Sequence, residues 1–119
     1  MKRIMVIDDD KLVRDSIQKV LLREGYEPVL TASAFEALDK VQCEKVDLII
    51  SDIRMPGMDG VSAIREIRRL FARSGKDIPI IFITGYAEIS QELDAEELGE
   101  VILKPFDLTR LVMTIREYL

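Results

Sequence analysis

Acidic, hydroxyl and basic side chains follow four of the five strand-like apolar runs in this 119-residue sequence. In chain order these side chains are Asp8, Asp9, Asp52, Thr84 and Lys104. In a parallel sheet flanked by helices, the carboxyl ends of the strands open onto the crevice where ligands bind. We therefore expect the five side chains to share one site.

The three carboxylates of this predicted site need a neutralising partner. Clustered carboxylates raise one another's pKa unless a cation is present. The sequence contains no histidine, and oxygen ligands alone favour Mg²⁺ or Ca²⁺ over zinc. Lys104 adds a charge that can hold an anion, and Thr84 adds a hydroxyl donor. A cation, a lysine and a hydroxyl around one carboxylate indicate phosphoryl transfer, which depends mainly on positioning and charge neutralisation.

Each residue also has a purely structural interpretation. Asp8 or Asp10 can cap the first helix, and we expect Asp10 to do so. Asp52 can form an Asx-turn in its loop. Thr84 can satisfy backbone groups, and Lys104 can be a surface charge beside a turn proline. Their joint occurrence at the ends of neighbouring strands favours the common site.

Alternating strand and helix patterns are predicted to position these residues. The predicted strands are residues 4–7, 26–30, 47–51, 78–84 and 101–103. The predicted helices are residues 11–24, 34–43, 61–71, a short or irregular helix within the acidic segment 87–100, and 108–119. Asp10, Ser33 and Asp107 are the predicted N-caps, and Pro28 marks an edge strand. Five β/α units with short connections predict an α/β fold, a doubly wound parallel sheet with helices on both faces.

The composition is typical of a globular cytoplasmic domain. Apolar residues make up 48% and charged residues 33%, which predicts one domain, 1–119, with a single core. No apolar run approaches the roughly 20 residues of a membrane span. The net charge of −5 argues against direct binding of nucleic acid. One cysteine, Cys43, permits no internal disulfide and fits a reducing compartment; we expect it to be a core or boundary residue.

Four short motifs occur in order along the chain. They are VIDDD at residues 6–10, SDIRMPGMDG at 51–60, ITG at 83–85 and LKPF at 103–106. With these motifs the whole chain resembles a response-regulator receiver domain of two-component signalling, and the set in this order is highly specific. The resemblance implies a flavodoxin-like sheet of strand order 2-1-3-4-5 with five helices.

The resemblance also implies a role for each site residue. Asp52 would take a phosphoryl group from a phosphohistidine on a sensor histidine kinase or a phosphotransfer protein. Asp9, Asp52 and the backbone carbonyl of Arg54 would ligate Mg²⁺, and Asp8 would act through a bound water. Modification adds about −1.5 to −2 charges at one point, which would rearrange the surface of the last two strands and control an output domain or partner protein.

The remaining residues of the motifs have supporting roles by the same resemblance. Thr84 would hydrogen-bond the phosphoryl oxygens, and Lys104 would pair with them. The bond between Lys104 and Pro105 is expected to be cis. Arg54 and Tyr86 flank the site and are candidates for tuning dephosphorylation, although both can equally lie in solvent. A homodimer is left open, and no contact with a membrane is expected.

Two features depart from the family pattern. Valine occupies position 101, where the family usually has an aromatic switch residue, so coupling between Thr84 and a swinging ring is in doubt. The segment between Thr84 and Lys104 is slightly short and acidic, which predicts an acidic output face.

Two other functions fit part of the sequence. Residues 7–10 match the Asp-x-Asp nucleophile motif of haloacid-dehalogenase-like phosphatases, with Asp8 as nucleophile, but only fifteen residues follow Lys104 for their last acidic metal motif. A degenerate receiver that serves only for docking is the second, and it conflicts with the complete set of phosphorylation residues.

Overall fold

The computed structural model describes residues 1–85, 95–104 and 106–119. Five parallel strands form one sheet in the order β2-β1-β3-β4-β5. The strands are β1 (Arg3–Ile7), β2 (Glu27–Thr31), β3 (Leu48–Asp52), β4 (Ile80–Thr84) and β5 (Glu100–Leu103). The helices are α1 (Lys11–Arg23), α2 (Ala34–Cys43), α3 (Gly60–Phe71), α4, described over residues 95–98, and α5 (Leu108–Tyr118). The predicted α/β fold, its strand order and the edge position of β2 are confirmed.

Apolar side chains pack on both faces of the sheet. Along β1, Ile4 and Val6 lie in a cluster with residues of α1 and α5, and Met5 and Ile7 lie in a second cluster with residues of α2 and α3. This alternation follows from the period of two in a strand. The core is therefore divided by the sheet, whereas the composition predicted a single one. Burial on both faces also explains why the central strands read as continuous apolar runs.

Side-chain caps fix the starts of the helices. Asp10 accepts a hydrogen bond from the Leu12 amide at 2.9 Å, and Ser33 and Asp107 cap α2 and α5 in the same way. These three caps were predicted from the sequence. Asp59, which was not, caps α3 by accepting from the Ser62 amide at 2.8 Å. Each such cap contributes about 1 kcal/mol by satisfying an amide that has no partner in the helix.

Several sequence predictions need correction. β3 extends through Asp52 and β2 through Thr31, and β4 begins only at Ile80. Cys43 is exposed at the end of α2 and is not a core residue. Leu12 belongs to the apolar pattern of α1 and yet is 77% exposed, at the border of a surface groove. Within the described residues, no helix combines the length and apolarity needed to cross a membrane.

Gly60 begins α3 directly behind the last residue of β3. Its amide donates to the Ile53 carbonyl at 2.7 Å, and a Cβ added to Gly60 would lie 1.9 Å from the carbonyl oxygen of Asp52. Only glycine lets the first turn of α3 approach the strand this closely. Gly85, by contrast, has room, since its added Cβ would be 3.7 Å from the nearest atom, on Lys104.

We expect Gly60→Ala to lower the free energy of unfolding by at least about 2 kcal/mol, because overpacking here moves backbone atoms. Urea denaturation followed by circular dichroism measures this change. Gly85→Ala is the matched control and is expected to change stability by less than about 0.5 kcal/mol. Equal stability of the two variants would show that α3 can move away from β3.

Candidate functional site

The carboxyl ends of four strands meet at one edge of the sheet, as the sequence predicted. Asp8 follows β1, Asp52 ends β3, Thr84 ends β4 and Lys104 follows β5. The pairing of Asp52 with Ile83 and of Thr84 with Leu103 keeps the last three ends level. The structure therefore brings the predicted strand-end residues to one place.

The three predicted carboxylates form a cluster. Asp8, Asp9 and Asp52 each offer an oxygen, and these oxygens all lie within 4.8 Å of one another. Asp8 is fully buried and Asp52 is 8% exposed, whereas Asp9 is exposed. The buried Oδ2 of Asp8 has no hydrogen-bond partner among the described residues. An orphaned buried oxygen beside two further carboxylates suits a hard cation such as Mg²⁺.

Lys104 lies next to the two buried carboxylates. Its Nζ is 3.4 Å from Oδ2 of Asp52 and 3.6 Å from Oδ2 of Asp8. The Lys104 amide donates to the Thr84 carbonyl at 2.7 Å, which ties the ends of β4 and β5 together. One ammonium group thus faces two buried carboxylates, and the exposed Asp9 adds a third negative charge.

Burial dominates the electrostatics of the site. Removal from water raises the pKa of Asp8, and the nearby Asp52 raises it further, against a hydrogen bond from the Asp10 amide that lowers it. Burial also raises the pKa of Asp52, against the Lys104 ammonium, which lowers it. When they are ionised, these carboxylates therefore lower the free energy of unfolding, because burial disfavours their charged forms.

The main chain of Asp8 is held on both sides. Its amide donates to the Thr31 carbonyl at 3.2 Å, and its carbonyl accepts from Nη1 of Arg14 at 2.7 Å. The Asp10 amide donates to its Oδ1 at 2.9 Å. Sequence reasoning missed Arg14, because a side-chain contact across six residues from helix to loop leaves no periodic signal.

The main chain of Asp52 is equally constrained. The buried hydroxyl of Ser51 donates to the Asp52 carbonyl at 2.8 Å, and Gly60 packs against the same carbonyl. Neither contact was predicted. The Asp-Gly pair at residues 59–60 signalled only a turn, and Ser51 read as one more strand residue.

The other predicted site residues are placed less fully. Thr84 is buried, and Arg54 is exposed in the loop that follows Asp52. Val101 is half-buried and packs on the cluster that contains the α2 and α3 residues. Tyr86 and Pro105, and with them the predicted cis bond, lie outside the described residues. So does most of the acidic segment, of which residues 95–98 are helical.

Curated relatives match nearly the whole chain. It is 30% identical to sporulation initiation phosphotransferase F of Bacillus subtilis over 120 residues, covering 99% of this chain and 94% of that protein. It is 35% identical over 118 residues to the uncharacterized transcriptional regulatory protein YbdJ of the same organism, covering 98% of this chain but 50% of that protein. The chain thus spans about half the length of some relatives, including the response regulator MprA of Mycobacterium avium.

Solved structures agree with the sequence relatives. A CheY-like response regulator receiver domain protein from Methanospirillum hungatei superposes with a TM-score of 0.89 at 32% identity, covering 98% of this chain and 92% of that one. The response regulator TrrA from Thermotoga maritima, in complex with Mg²⁺-BeF, gives 0.86 at 34% identity with full coverage of both chains. The profile of the response regulator receiver domain matches residues 4–116. With the site geometry and these relatives, the chain belongs to the receiver domain family of two-component response regulators.

Proposed function

We propose that residues 1–119 form one receiver domain in which Asp52 accepts the phosphoryl group. One observation carries this proposal: the Asp52 carboxylate ends a central strand beside two other acids and 3.4 Å from the Lys104 ammonium. The carboxylate is held by its strand yet remains 8% exposed, so a donor can reach it from solvent. An acid that only stabilised the fold would gain nothing from two neighbouring acids.

The proposed reaction is an in-line transfer. An Asp52 oxygen forms the bond to phosphorus while the bond to the donor's leaving group breaks, and the leaving group departs with the bonding electrons. Lys104 offsets the negative charge of the phosphoryl oxygens, and the Thr84 hydroxyl donates to one of them. Such positioning and charge neutralisation supply most of the catalysis in phosphoryl transfer.

The acid cluster fits Mg²⁺ by its chemistry. We assign Asp9, Asp52 and the backbone carbonyl of Arg54 as the residues that would hold the ion, with Asp8 acting through water. The orphaned Oδ2 of Asp8 supports that last role. When bound, Mg²⁺ neutralises the acids and draws charge from the phosphoryl oxygens. The relative TrrA was solved with Mg²⁺-BeF, which supports the same preference here.

The phosphodonor is proposed to be a sensor histidine kinase or a phosphotransfer protein, and the recipient of the signal an output domain or partner protein. A relative named as a phosphotransferase supports the proposed phosphoryl transfer, and a relative named as a transcriptional regulatory protein supports the proposed output. We assign no direct role in nucleic-acid binding to this acidic domain. Arg54 and Tyr86 remain candidates for tuning the lifetime of the phosphoryl group, and a homodimer remains one way to pass on the signal.

Labelling by a small phosphodonor tests this proposal. We expect acetyl phosphate to shift the protein on a phosphate-affinity gel in Mg²⁺ and not in EDTA. The docking-only alternative predicts no shift in either buffer. The phosphatase alternative predicts turnover of a phosphate monoester that is lost in Asp8→Asn and kept in Asp52→Asn, which would overturn the assignment of Asp52.

Lys104→Ala is expected to be labelled but to respond weakly to the label. The ammonium lies next to Asp52 and its amide joins β5 to β4, so the charge on the phosphoryl group loses its link to β5. Amide exchange of residues 95–104, with and without a beryllofluoride adduct, measures the response. We expect at least half of the change in protection to be lost. The reason is that the variant lacks a hydrogen bond to a charged group, which contributes about 1.5–3 kcal/mol.

Lys45→Ala is the matched control, since this lysine is 72% exposed. Its exchange response is expected to equal that of the unmodified sequence. A full response in Lys104→Ala would remove the lysine from the path between Asp52 and the surface. An unchanged pattern in every protein would instead remove residues 95–104, and the predicted acidic output face, from that path.

A further inference from the structure

Arg14 connects helix α1 to the acidic loop. Its Nη1 donates to the Asp8 carbonyl at 2.7 Å, and its side chain is half-buried there. The Arg14 amide donates to the Asp10 carbonyl at 3.0 Å, so the first turn of the helix and the arginine side chain hold the same loop. A charged donor on a backbone carbonyl is a strong hydrogen bond, and it is partly shielded from water here.

The contact adds to the hydrogen bonds that orient Asp8, a member of the acid cluster. The amide of Asp8 is bonded to the Thr31 carbonyl and its Oδ1 to the Asp10 amide, so Oδ2 is the carboxylate oxygen without a hydrogen bond, 3.6 Å from Nζ of Lys104. Thr31 is itself buried and donates from Oγ1 to the Val6 carbonyl at 2.9 Å. The peptide group that follows Asp8 could still rotate, but its carbonyl is held by the hydrogen bond from Arg14.

We propose that Arg14 is a positioning residue for the cation site, acting on Asp8 and Asp9 through their shared peptide group. The carbonyl that Arg14 binds belongs to the peptide that joins Asp8 to Asp9, so the contact orients both acids at once. This inference rests on the proposed function of the acid cluster. Arg14 would thus align the oxygens of Asp8 and Asp9, which lie within 4.8 Å of an oxygen of Asp52.

Two opposite effects of removing Arg14 have to be separated. Loss of its positive charge strengthens cation binding, whereas loss of its hydrogen bond loosens the ligands. Salt distinguishes them, since the Debye length falls from about 10 Å at 0.1 M to about 3 Å at 1 M salt. Removing an outer partner of a metal ligand commonly costs 10–100-fold in affinity, which exceeds the electrostatic gain at high salt.

Calorimetric titration with Mg²⁺ alone is the primary test, carried out on the full chain at 0.1 M and 1 M KCl. At 1 M KCl we expect Arg14→Met to raise the Mg²⁺ Kd about tenfold. Arg14→Lys keeps a donor and the charge, so it is expected to stay within about threefold of the unmodified protein. Lys11→Met removes a charge from the same helix at an exposed position paired with Asp15, and we expect its Kd to change less than about twofold.

A second readout separates positioning from a merely structural role. In labelling by acetyl phosphate, Arg14→Met should need about tenfold more Mg²⁺ for half-maximal rate, with the rate at saturating Mg²⁺ unchanged. An unchanged Kd with lowered stability to urea would make Arg14 a structural residue and overturn the inference. So would absence of Mg²⁺ binding in the unmodified protein. Mg²⁺ binding without any labelling would overturn the proposed function instead and leave the titration decisive for Arg14.

Discussion

Asp52→Asn is expected to abolish labelling by acetyl phosphate, with a loss of at least about 10³-fold in rate, because an amide oxygen is a poor nucleophile at phosphorus. We do not expect the other acids to substitute for it. Asp8 is fully buried, with its Oδ2 facing Lys104. Asp9 is exposed and belongs to a loop, so no strand end aligns it with both Lys104 and Thr84. A phosphate-affinity gel and intact-mass measurement report the label.

The matched control for this variant is Asp39→Asn, an identical substitution at an exposed position on α2. We expect it to be labelled at the rate of the unmodified protein. Asp52→Asn should also remain folded, since the amide has the same shape as the carboxylate and relieves local repulsion. Persistence of a full label in Asp52→Asn would move the acceptor role to another residue.

Asp8→Asn is expected to have opposite effects on stability with and without metal. In EDTA we expect the free energy of unfolding to rise by about 1–2 kcal/mol, because one of the two buried carboxylates that share the Lys104 ammonium is neutralised and Lys104 is left to balance Asp52. In 10 mM Mg²⁺ the order should reverse, since the variant lacks an acid on which stabilisation by bound ion depends. Urea denaturation in both buffers measures the crossover.

The pH dependence of the metal-free protein follows from the same acids. Burial raises the folded-state pKa of Asp8 and of Asp52 above the unfolded values. Between these values the folded state binds more protons than the unfolded state, so stability falls as pH rises. The contribution is fully present below the unfolded pKa, near 3.8, and is lost as pH rises through the raised pKa of each acid.

We therefore expect the unmodified protein in EDTA to lose stability as pH rises above the usual aspartate pKa near 3.8, with a smaller decline in Asp8→Asn. The hydrogen bond from the Arg3 amide lowers the pKa of Asp47, which makes stability fall with acidification. That effect acts below the usual aspartate pKa, whereas the effect of the site acids acts above it. Equal declines in both proteins would mean that Asp8 is not a source of the destabilisation.

Sequence patterns predicted the elements and the strand-end residues well, for a physical reason. A buried parallel strand is a run of apolar residues, so its end is marked by the first polar side chain, as at Asp8 and Thr84. The order of strands was less accessible, because periodicity does not say which strands pair. It came from the resemblance carried by four motifs, and the pairing of β1 with both β2 and β3 confirms it.

Contacts between side chains and backbone escaped prediction. Arg14 looked like one more charged residue on a helix, and its bond to the Asp8 carbonyl depends on how α1 docks on the sheet. Leu12 followed the apolar pattern of α1 and yet is exposed, since helical spacing does not say where a groove opens. Both depend on the placement of a whole helix, which a local pattern does not contain.

The glycine at position 60 also has a mechanical consequence. Because α3 is in close contact with the backbone of β3 at this glycine, β3 has no room to move toward the helix. We therefore expect a group attached to Asp52 to displace β4 and β5 rather than to push β3 toward α3. On this expectation, the rigid contact behind β3 determines which side of the domain changes when Asp52 is modified.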